Sequence, residues 1–468
     1  MKNLLFALLL ATVTTSYATD IFNFKLNENQ KFESSCSVSF PDDATLHVVV
    51  VKNTETKKYD VLPFFMNNEG NIKEMGTASF EDKPDLLSSH KVGSTVSVLM
   101  YSRRNLTVTD FSLNNTMVIT ESLELRKRPD NIITQPNQSI VVVPGLNGKE
   151  LEFILVGNSQ SIKQKTTEVP KEYQRSIKNI FATNPDIINT DEFVQNGSIG
   201  NNQVYYENGN FIMITDENKD EQIEAFIVNP ENDGSLTRKV FTTTAQLDKI
   251  KDGNSYLMDG KIFGMYLGKK DFGISVFDIE TGEESKKFLL SEDISQIESA
   301  RKTEEYMKSA TKQRMRPTIA VNKTKNNNYS VIIDYVDATN YVYHNWMWMH
   351  QMMMMQQMMM LQQQQQTMIR AGGFGPNPTE YEIDEMFYEE QTNSLNITLD
   401  QDLNMLRDKS DPTKYQFVDK KKIMDNLKES KDFKNISAAF LENEYHYMYT
   451  DKQEETIYIR TKEIIRNY

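Results

Sequence analysis

Gly260-Lys-Ile-Phe-Gly-Met-Tyr-Leu267, Gly268-Lys-Lys-Asp271, Phe272-Gly-Ile-Ser-Val-Phe277, Asp278-Ile-Glu-Thr-Gly-Glu283 and Ser285-Lys-Lys-Phe-Leu-Leu290 follow one another as run, turn, run, turn, run. Apolar runs of strand length separated by Gly, Lys and Asp clusters predict three antiparallel strands joined by two tight hairpins. The same order recurs upstream in Asn210-Phe-Ile-Met-Ile-Thr215, a turn over Asp216 to Asp220, Gln222-Ile-Glu-Ala-Phe-Ile-Val228, a turn over Asn229 to Gly234, and Ser235-Leu-Thr-Arg-Lys-Val-Phe241.

Further units pair His47-Val-Val-Val-Val51 with Tyr59-Asp-Val-Leu-Pro-Phe-Phe65, Val96-Ser-Val-Leu-Met-Tyr101 with Leu106-Thr-Val-Thr-Asp-Phe111, and Ser139-Ile-Val-Val-Val-Pro144 with Leu151-Glu-Phe-Ile-Leu-Val156. Tyr329-Ser-Val-Ile-Ile-Asp334 is a sixth unit. Tyr445-His-Tyr-Met-Tyr-Thr450, joined to Glu455-Thr-Ile-Tyr-Ile-Arg460 across Asp451 to Glu454, is a seventh. Such spacing suits four-stranded meander blades, so the expected fold is all-β, a β-propeller of about seven blades with helical and low-complexity insertions. Tandem β-sandwiches, also made of meandering hairpins, are the alternative. The hairpins over 226–239 and 275–290, with the turn Phe277-Asp-x-x-Thr-Gly282, resemble the outer hairpin of kelch or quinoprotein-like propeller blades. That resemblance implies a fold and no particular activity. In a closed ring the last strand pairs with the start of the mature chain, leaving no edge open.

Three charged, glycine-free stretches interrupt the strands: Lys171 to Phe181, Glu292 to Lys312 and Asp419 to Asn435, the last with Ile423, Met424 and Leu427 at helical spacing. They are expected as solvated helices or loops between blades.

The 468 residues carry 52 Lys+Arg against 66 Asp+Glu, a formal net charge of -14, which disfavours nucleic acid as a partner. A single cysteine, Cys36, excludes an internal disulfide and a multi-thiolate zinc site, and its setting predicts a small buried strand residue. Residues 1–18 have a basic start at Lys2, an apolar run from Leu4 to Val13 and small residues at Ser16 and Ala18. This is the layout of a signal peptide cleaved after Ala18, so residues 19–468 are expected to form the exported domain, periplasmic or extracellular, with no membrane span.

The chemically unusual segment is an insertion at about 341–378. Ten of the 24 methionines lie between Met347 and Met368, and both tryptophans, Trp346 and Trp348, stand beside His344 and His350. Thioethers and imidazoles without thiolates favour Cu(I), which nominates His344, Met347, Met349, His350, Met352 and Met355 as metal ligands. Equally, a Met/Gln helix apolar around most of its circumference must bury itself against something. On that reading Tyr343, Trp346, Trp348, Met358 and Met359 form a contact surface for a protein partner or a second copy, with no cofactor.

Elsewhere the signals are weak. Asp216-x-Asn218-x-Asp220 begins like a calcium loop but has Glu221 where Gly is needed and Ile227 where Glu is needed, so it reads as a polar hairpin turn. His47, His90 and His446 read as isolated surface or satisfied sheet histidines. No phosphate loop, nucleophile elbow or zinc-binding pair is present. Acidic clusters at Glu382 to Glu385 and at Glu389 and Glu390 leave open a carbohydrate-directed hydrolase or lyase, with a carboxylate-lined funnel at the propeller axis. The leading expectation is an exported binding or scaffold propeller, a non-enzyme, with a Cu(I)-binding protein as alternative.

Overall fold

The structure is a computed structural model that describes residues 19–216, 222–232, 234–337, 394–407, 411–430 and 432–464. Strand β1 (Thr19–Lys25) is set aside by the chain and used last. Blade 1 follows as β2 (Gln30–Ser39), β3 (Thr45–Asn53), β4 (Tyr59–Met66) and β5 (Ile72–Glu74), with β6 (Ala78–Phe80) also paired to β4. Blade 2 is β7 (Asp85–Val92), β8 (Thr95–Ser102), β9 (Asn105–Ser112) and β10 (Val118–Glu124). Blade 3 is β11 (Asn131–Gln135), β12 (Gln138–Pro144), β13 (Glu150–Asn158) and β14 (Ser161–Glu168). Blade 4 adds a short inner strand, β15 (Asp186–Ile187), parallel to β16 (Asn202–Glu207). It continues with β17 (Asn210–Thr215), β18 (Gln222–Val228) and β19 (Leu236–Thr242).

Blade 5 is β20 (Asp252–Met258), β21 (Lys261–Leu267), β22 (Phe272–Asp278) and β23 (Glu284–Leu289). Blade 6 is β24 (Met315–Lys323), β25 (Tyr329–Asp337), β26 (Leu395–Leu399) and β27 (Met405–Leu406). Blade 7 is β28 (Lys434–Phe440), β29 (Glu444–Thr450) and β30 (Thr456–Glu463), completed by β1 from the other end of the chain. Thr19 stands opposite Thr461 and Lys25 opposite Thr456. Seven antiparallel meanders with one blade shared between the two ends make a closed seven-bladed β-propeller. Each repeat unit read from the sequence contributes middle strands of one blade.

The deciding hairpin forms for local reasons. Asp278 Oδ1 accepts from the Glu280 and Thr281 amides at 2.9 and 2.7 Å, and Gly282 takes a φ of 80° as its amide bonds the Asp278 carbonyl. These donors hold the Asp278 carboxyl below its ordinary range.

Runs such as Val48 to Val51, buried throughout, look wrong for an antiparallel strand with one wet face. A blade, however, is covered on both faces. Val48 and Val50 pack toward blade 2, whereas Val49 and Val51 pack toward blade 7. In β12, Ile140 and Val142 face blade 4 while Val141 and Val143 face blade 2. Each such side chain contributes about 1.5–3 kcal/mol by leaving water. Outer strands such as β10 and β14 are mostly exposed, as the rim of a ring requires.

Three helices depart from the expectation of solvated elements. Helix α1 (Gln174–Ala182) buries Ile177 and Ile180 between blades 3 and 4. Helix α2 (Ala300–Ala310) buries Tyr306 against Phe272 and Tyr335. Helix α3 (Lys420–Lys428), capped by Asp419 Oδ1 on the Lys422 amide at 2.9 Å, buries Met424 and Leu427 on Tyr445, Tyr447 and Tyr449. Each has an apolar stripe that lowers its free energy only by finding a neighbour. Among the described residues, blade 7 shares an apolar cluster with blade 1 on one face and packs on α3 on the other. The helix therefore covers the face of blade 7 that blade 1 does not.

Candidate functional site

Three places gather polar groups: the axis, the joints between blades, and two outer grooves. At the axis, the chain between β15 and β16 runs along the inner edges of blades 5 and 6. The Val194 amide donates to Asn322 Oδ1 and Asn322 Nδ2 returns to the Val194 carbonyl, both at 2.8 Å. Asn254 Nδ2 donates to the Ser198 carbonyl at 2.8 Å, its Oδ1 accepts from the Ile319 amide at 2.9 Å, and Arg316 holds Asn201 Oδ1 at 2.8 Å. Residues 194–201 thus run antiparallel to β24. Gly197 has a φ of 58°, and a Cβ there would lie 2.1 Å from the Ile319 carbonyl oxygen. Only glycine permits that approach.

The axial carboxylates are engaged internally. Asp186 Oδ2 accepts from Ser198 Oγ at 2.7 Å and from the Gly200 amide at 3.1 Å. Glu192 lies 2.7 Å from Lys420 Nζ. Burial pushes its carboxyl up, but the Lys420 ammonium and the Asn189 amide hold it below the ordinary carboxylate range. Next to it, Phe193 meets Phe417, so the axial segment also touches the chain leading into α3.

The joints share a device. Asp110 of blade 2 accepts both the amide and the hydroxyl of Ser159 in blade 3, at 2.9 and 2.6 Å, and Ser97 Oγ at 2.7 Å. Asp216, just beyond β17, does the same to Ser255 of blade 5, at 2.9 and 2.6 Å, and accepts from Gln203 Nε2 at 3.0 Å. Desolvation raises the Asp216 carboxyl to about 7 against these donors. Asp216, the first residue of the β17–β18 hairpin turn, is thus also a buried pin between blades 4 and 5, whereas 217–221 lie outside the described residues. Burial likewise raises Asp334 to about 7, where Tyr306 Oη donates to its carbonyl oxygen.

Histidines fill two other joints, and His47, His90 and His446 are all buried. His90 accepts or donates at Ser139 Oγ (2.9 Å) and donates toward the Gly157 carbonyl (2.8 Å). His47 and His446 are not isolated. Both rings lie against Thr45 Oγ1, at 3.5 and 3.0 Å, in the joint of blades 7 and 1. Cys36 is buried nearby in β2, its thiol pushed up to about 12 by desolvation, which keeps it an unreactive packing residue.

Two grooves open at the rim. One of about 510 Å³ separates β6 from blade 2 and is lined by hydroxyls, among them Ser79, Thr107, Thr120 and Ser122, with Glu81 and Asp82 at its edge. The other, about 300 Å³, lies between blades 4 and 5 beside Glu207, Lys239 and Glu280. Glu81 pairs with Lys58 and Asp82 with Arg103.

The residues nominated from sequence, His344, Met347, Met349, His350, Met352 and Met355 as ligands and Tyr343, Trp346, Trp348, Met358 and Met359 as contacts, lie outside the described residues, as do Glu382 to Glu390. Among the described residues no cluster of three or more His, Cys, Asp or Glu could hold a metal ion, and no helix is long and apolar enough to cross a membrane. What sequence reading missed is the meeting of His47 with His446. Its one available signal was the ring closure, which makes the first and last repeat units neighbours.

No family model matches the sequence, and no curated protein matches it. Many solved structures match the chain. They include the Kuenenia stuttgartiensis hydrazine synthase, 11% identical over 68% of this chain and 80% of that chain with a TM-score of 0.30. They also include the Dos1 propeller, 8% identical over 95% of each chain with a TM-score of 0.35.

Proposed function

We propose that this protein is an exported β-propeller that works as a binding or scaffold module, with the Met/Gln/Trp-rich insertion as its contact surface for a protein partner or a second copy. The observation that carries this reading is the place where the insertion leaves the ring. Residues 338–394 stand between β25 and β26, a join that blades 2 and 5 make with the short turns 103–104 and 268–271. The base of the insertion is braced by α2, through the rings of Tyr306 and Tyr335, and by Glu298 just before the helix, whose Oε1 accepts from the Asn396 amide at 3.4 Å. A long Met/Gln/Trp-rich segment inserted in a propeller hairpin whose base is braced is the sequence layout of a recognition loop on a scaffold. The blade turn Phe277 to Gly282 supports the kelch or quinoprotein-like reading of the repeat.

Removal of residues 345–370 is expected to leave the thermal transition of the ring unchanged and to abolish self-association or partner capture. Sedimentation of the full chain and the deletion, with pull-downs from the native secretome, measures this; an unchanged profile of species and partners refutes the reading. Export is supported by the basic start, apolar run and small residues of 1–18. Amino-terminal sequencing of secreted material should therefore start at Thr19.

The second reading, Cu(I) binding by His344, His350 and the methionines from Met347 to Met355, is favoured by a soft donor set gathered in one stretch. Anaerobic equilibrium binding of Cu(I) by the full chain tests it. At least one equivalent bound, lost on Met→Leu replacement, supports it.

A further inference from the structure

The joint between blades 7 and 1 contains a continuous line of hydrogen bonds. Ser437 Oγ lies 2.8 Å from Ser37 Oγ, Ser37 Oγ 2.7 Å from His47 Nδ1, and His47 Nε2 3.5 Å from Thr45 Oγ1. Thr45 Oγ1 lies 3.0 Å from His446 Nδ1, and His446 Nε2 lies 3.1 Å from Glu444 Oε1. The carboxylate at one end sets the direction of every bond. Ionised Glu444 only accepts, so His446 Nε2 carries its proton and His446 Nδ1 must accept from the Thr45 hydroxyl. Thr45 then accepts from His47 Nε2–H, and His47 Nδ1 accepts from the Ser37 hydroxyl. Both imidazoles are neutral in this arrangement, and both are almost wholly removed from water, His47 at 0% and His446 at 4% exposure.

We propose that this histidine pair is an acid-sensitive latch that keeps the ring closed, and that proton uptake by the two imidazoles releases strands β28 to β30 from blade 1. A second proton on His446 Nδ1 turns an acceptor into a donor facing Thr45 Oγ1, and the Thr45 proton loses its partner. A second proton on His47 then places two cations across one hydroxyl in a dry joint. The charged groups available to offset them are few. Glu444 is the one contact, and Glu463 stands opposite it in the β29–β30 register beside Lys462, which is opposite Tyr445. From β2 comes Glu33, already paired with Lys83; from the turn before β3, Asp42, paired with Lys91; from β28, Lys434, paired with Glu454. Strand β4 presents Phe64 opposite His47, and β30 presents Thr461, whose buried hydroxyl has no partner, opposite His446.

The location makes the pair a latch and more than a pair of buried histidines. Blade 7 is assembled from both chain ends, so β28 to β30 are held to β1 and blade 1 by noncovalent contacts alone. His90 is also buried, but both blades at its joint are covalently complete. Desolvation lowers both imidazoles of the pair, His47 to about 3, with the neighbouring His446 adding to the effect.

Hydrogen exchange of the full chain from pH 7.5 to 4.5, corrected for the intrinsic pH dependence of exchange, tests the latch. Opening of β1 and β28 to β30 should rise as pH falls below 6.5, by about tenfold per pH unit from His47 with a further rise from His446, while β20 to β22 in blade 5 remain protected. A rise of equal size in blade 5, or none in blade 7, overturns the proposal. His446→Gln should make that rise shallower, and a variant that keeps the wild-type slope also overturns it. Should that variant not fold, imidazole nitrogen NMR of the wild type decides: both rings held as the Nε2–H form at pH 7 and silent near pH 6.5 support the latch, and an ordinary titration there refutes it.

Discussion

Gly197 and Gly282 both have positive φ, yet they differ in what surrounds them. At Gly282 a Cβ meets nothing within 4 Å, so Gly282→Ala should lower stability by about 1 kcal/mol through backbone strain alone. At Gly197 the same change drives a methyl onto the Ile319 carbonyl, and the axial segment must leave β24. Gly197→Ala is expected to lower stability by about 3 kcal/mol or more in urea titrations, and Asn322→Ala, which strands the Val194 amide and carbonyl, by about 1–3 kcal/mol. Equal losses at the two glycines would contradict the described path of the axial segment. A turn glycine could be read from the sequence, since Asp-x-x-Thr-Gly is a local motif. The role of Gly197 could not, because its partner Ile319 lies in another blade.

Among the elements, α3 covers one whole face of blade 7. Truncating Leu427 or Met424 to Ala should cost about 2–5 kcal/mol each, and Asp419→Ala about 0.5–2 kcal/mol through loss of the cap. Hydrogen exchange should place the loss in blade 7, whose Tyr445, Tyr447 and Tyr449 the helix covers, ahead of blades 4 to 6. A loss spread evenly round the ring would mean that α3 does not serve blade 7 in particular. Its amphipathic spacing was legible in Ile423, Met424 and Leu427, but a stripe names no partner. The strands were more legible than the helices, because a two-residue alternation or a buried run bounded by turn residues is a local signal. Even so, the Val48 to Val51 run has a meaning, one face to each neighbouring blade, that follows only from the ring.

Across the whole molecule, buried titratable groups pull stability in opposite directions with pH. His47 titrates at about 3 folded and 6.5 unfolded, so its contribution is present above pH 6.5 and is lost as pH falls toward 3. Asp216 is raised to about 7 from 3.8, so the folded state holds its proton more tightly; that contribution is present below 3.8 and is lost as pH rises through 7. Between pH 4 and 6.5 the two contributions therefore oppose each other, and Asp216→Asn, which removes the fall between 3.8 and 7, should make the unfolding midpoint rise more steeply over that range. An unchanged pH dependence in that variant would show that Asp216 stays ionised among its three donors. Deleting residues 19–25 should unfold blade 7 and expose the β30 edge, giving a chain that associates on concentration. The sequence by itself determined the seven hairpin units, hence the all-β class and the expectation of about seven blades, since each unit rests on residues within a few positions of one another. The path of the axial segment, the packing of α3 on blade 7, the aspartate pins and the meeting of His47 with His446 were decided only by the tertiary structure. Those contacts join residues up to 401 positions apart, and ring closure, which no local pattern encodes, is what brings them within hydrogen-bonding distance.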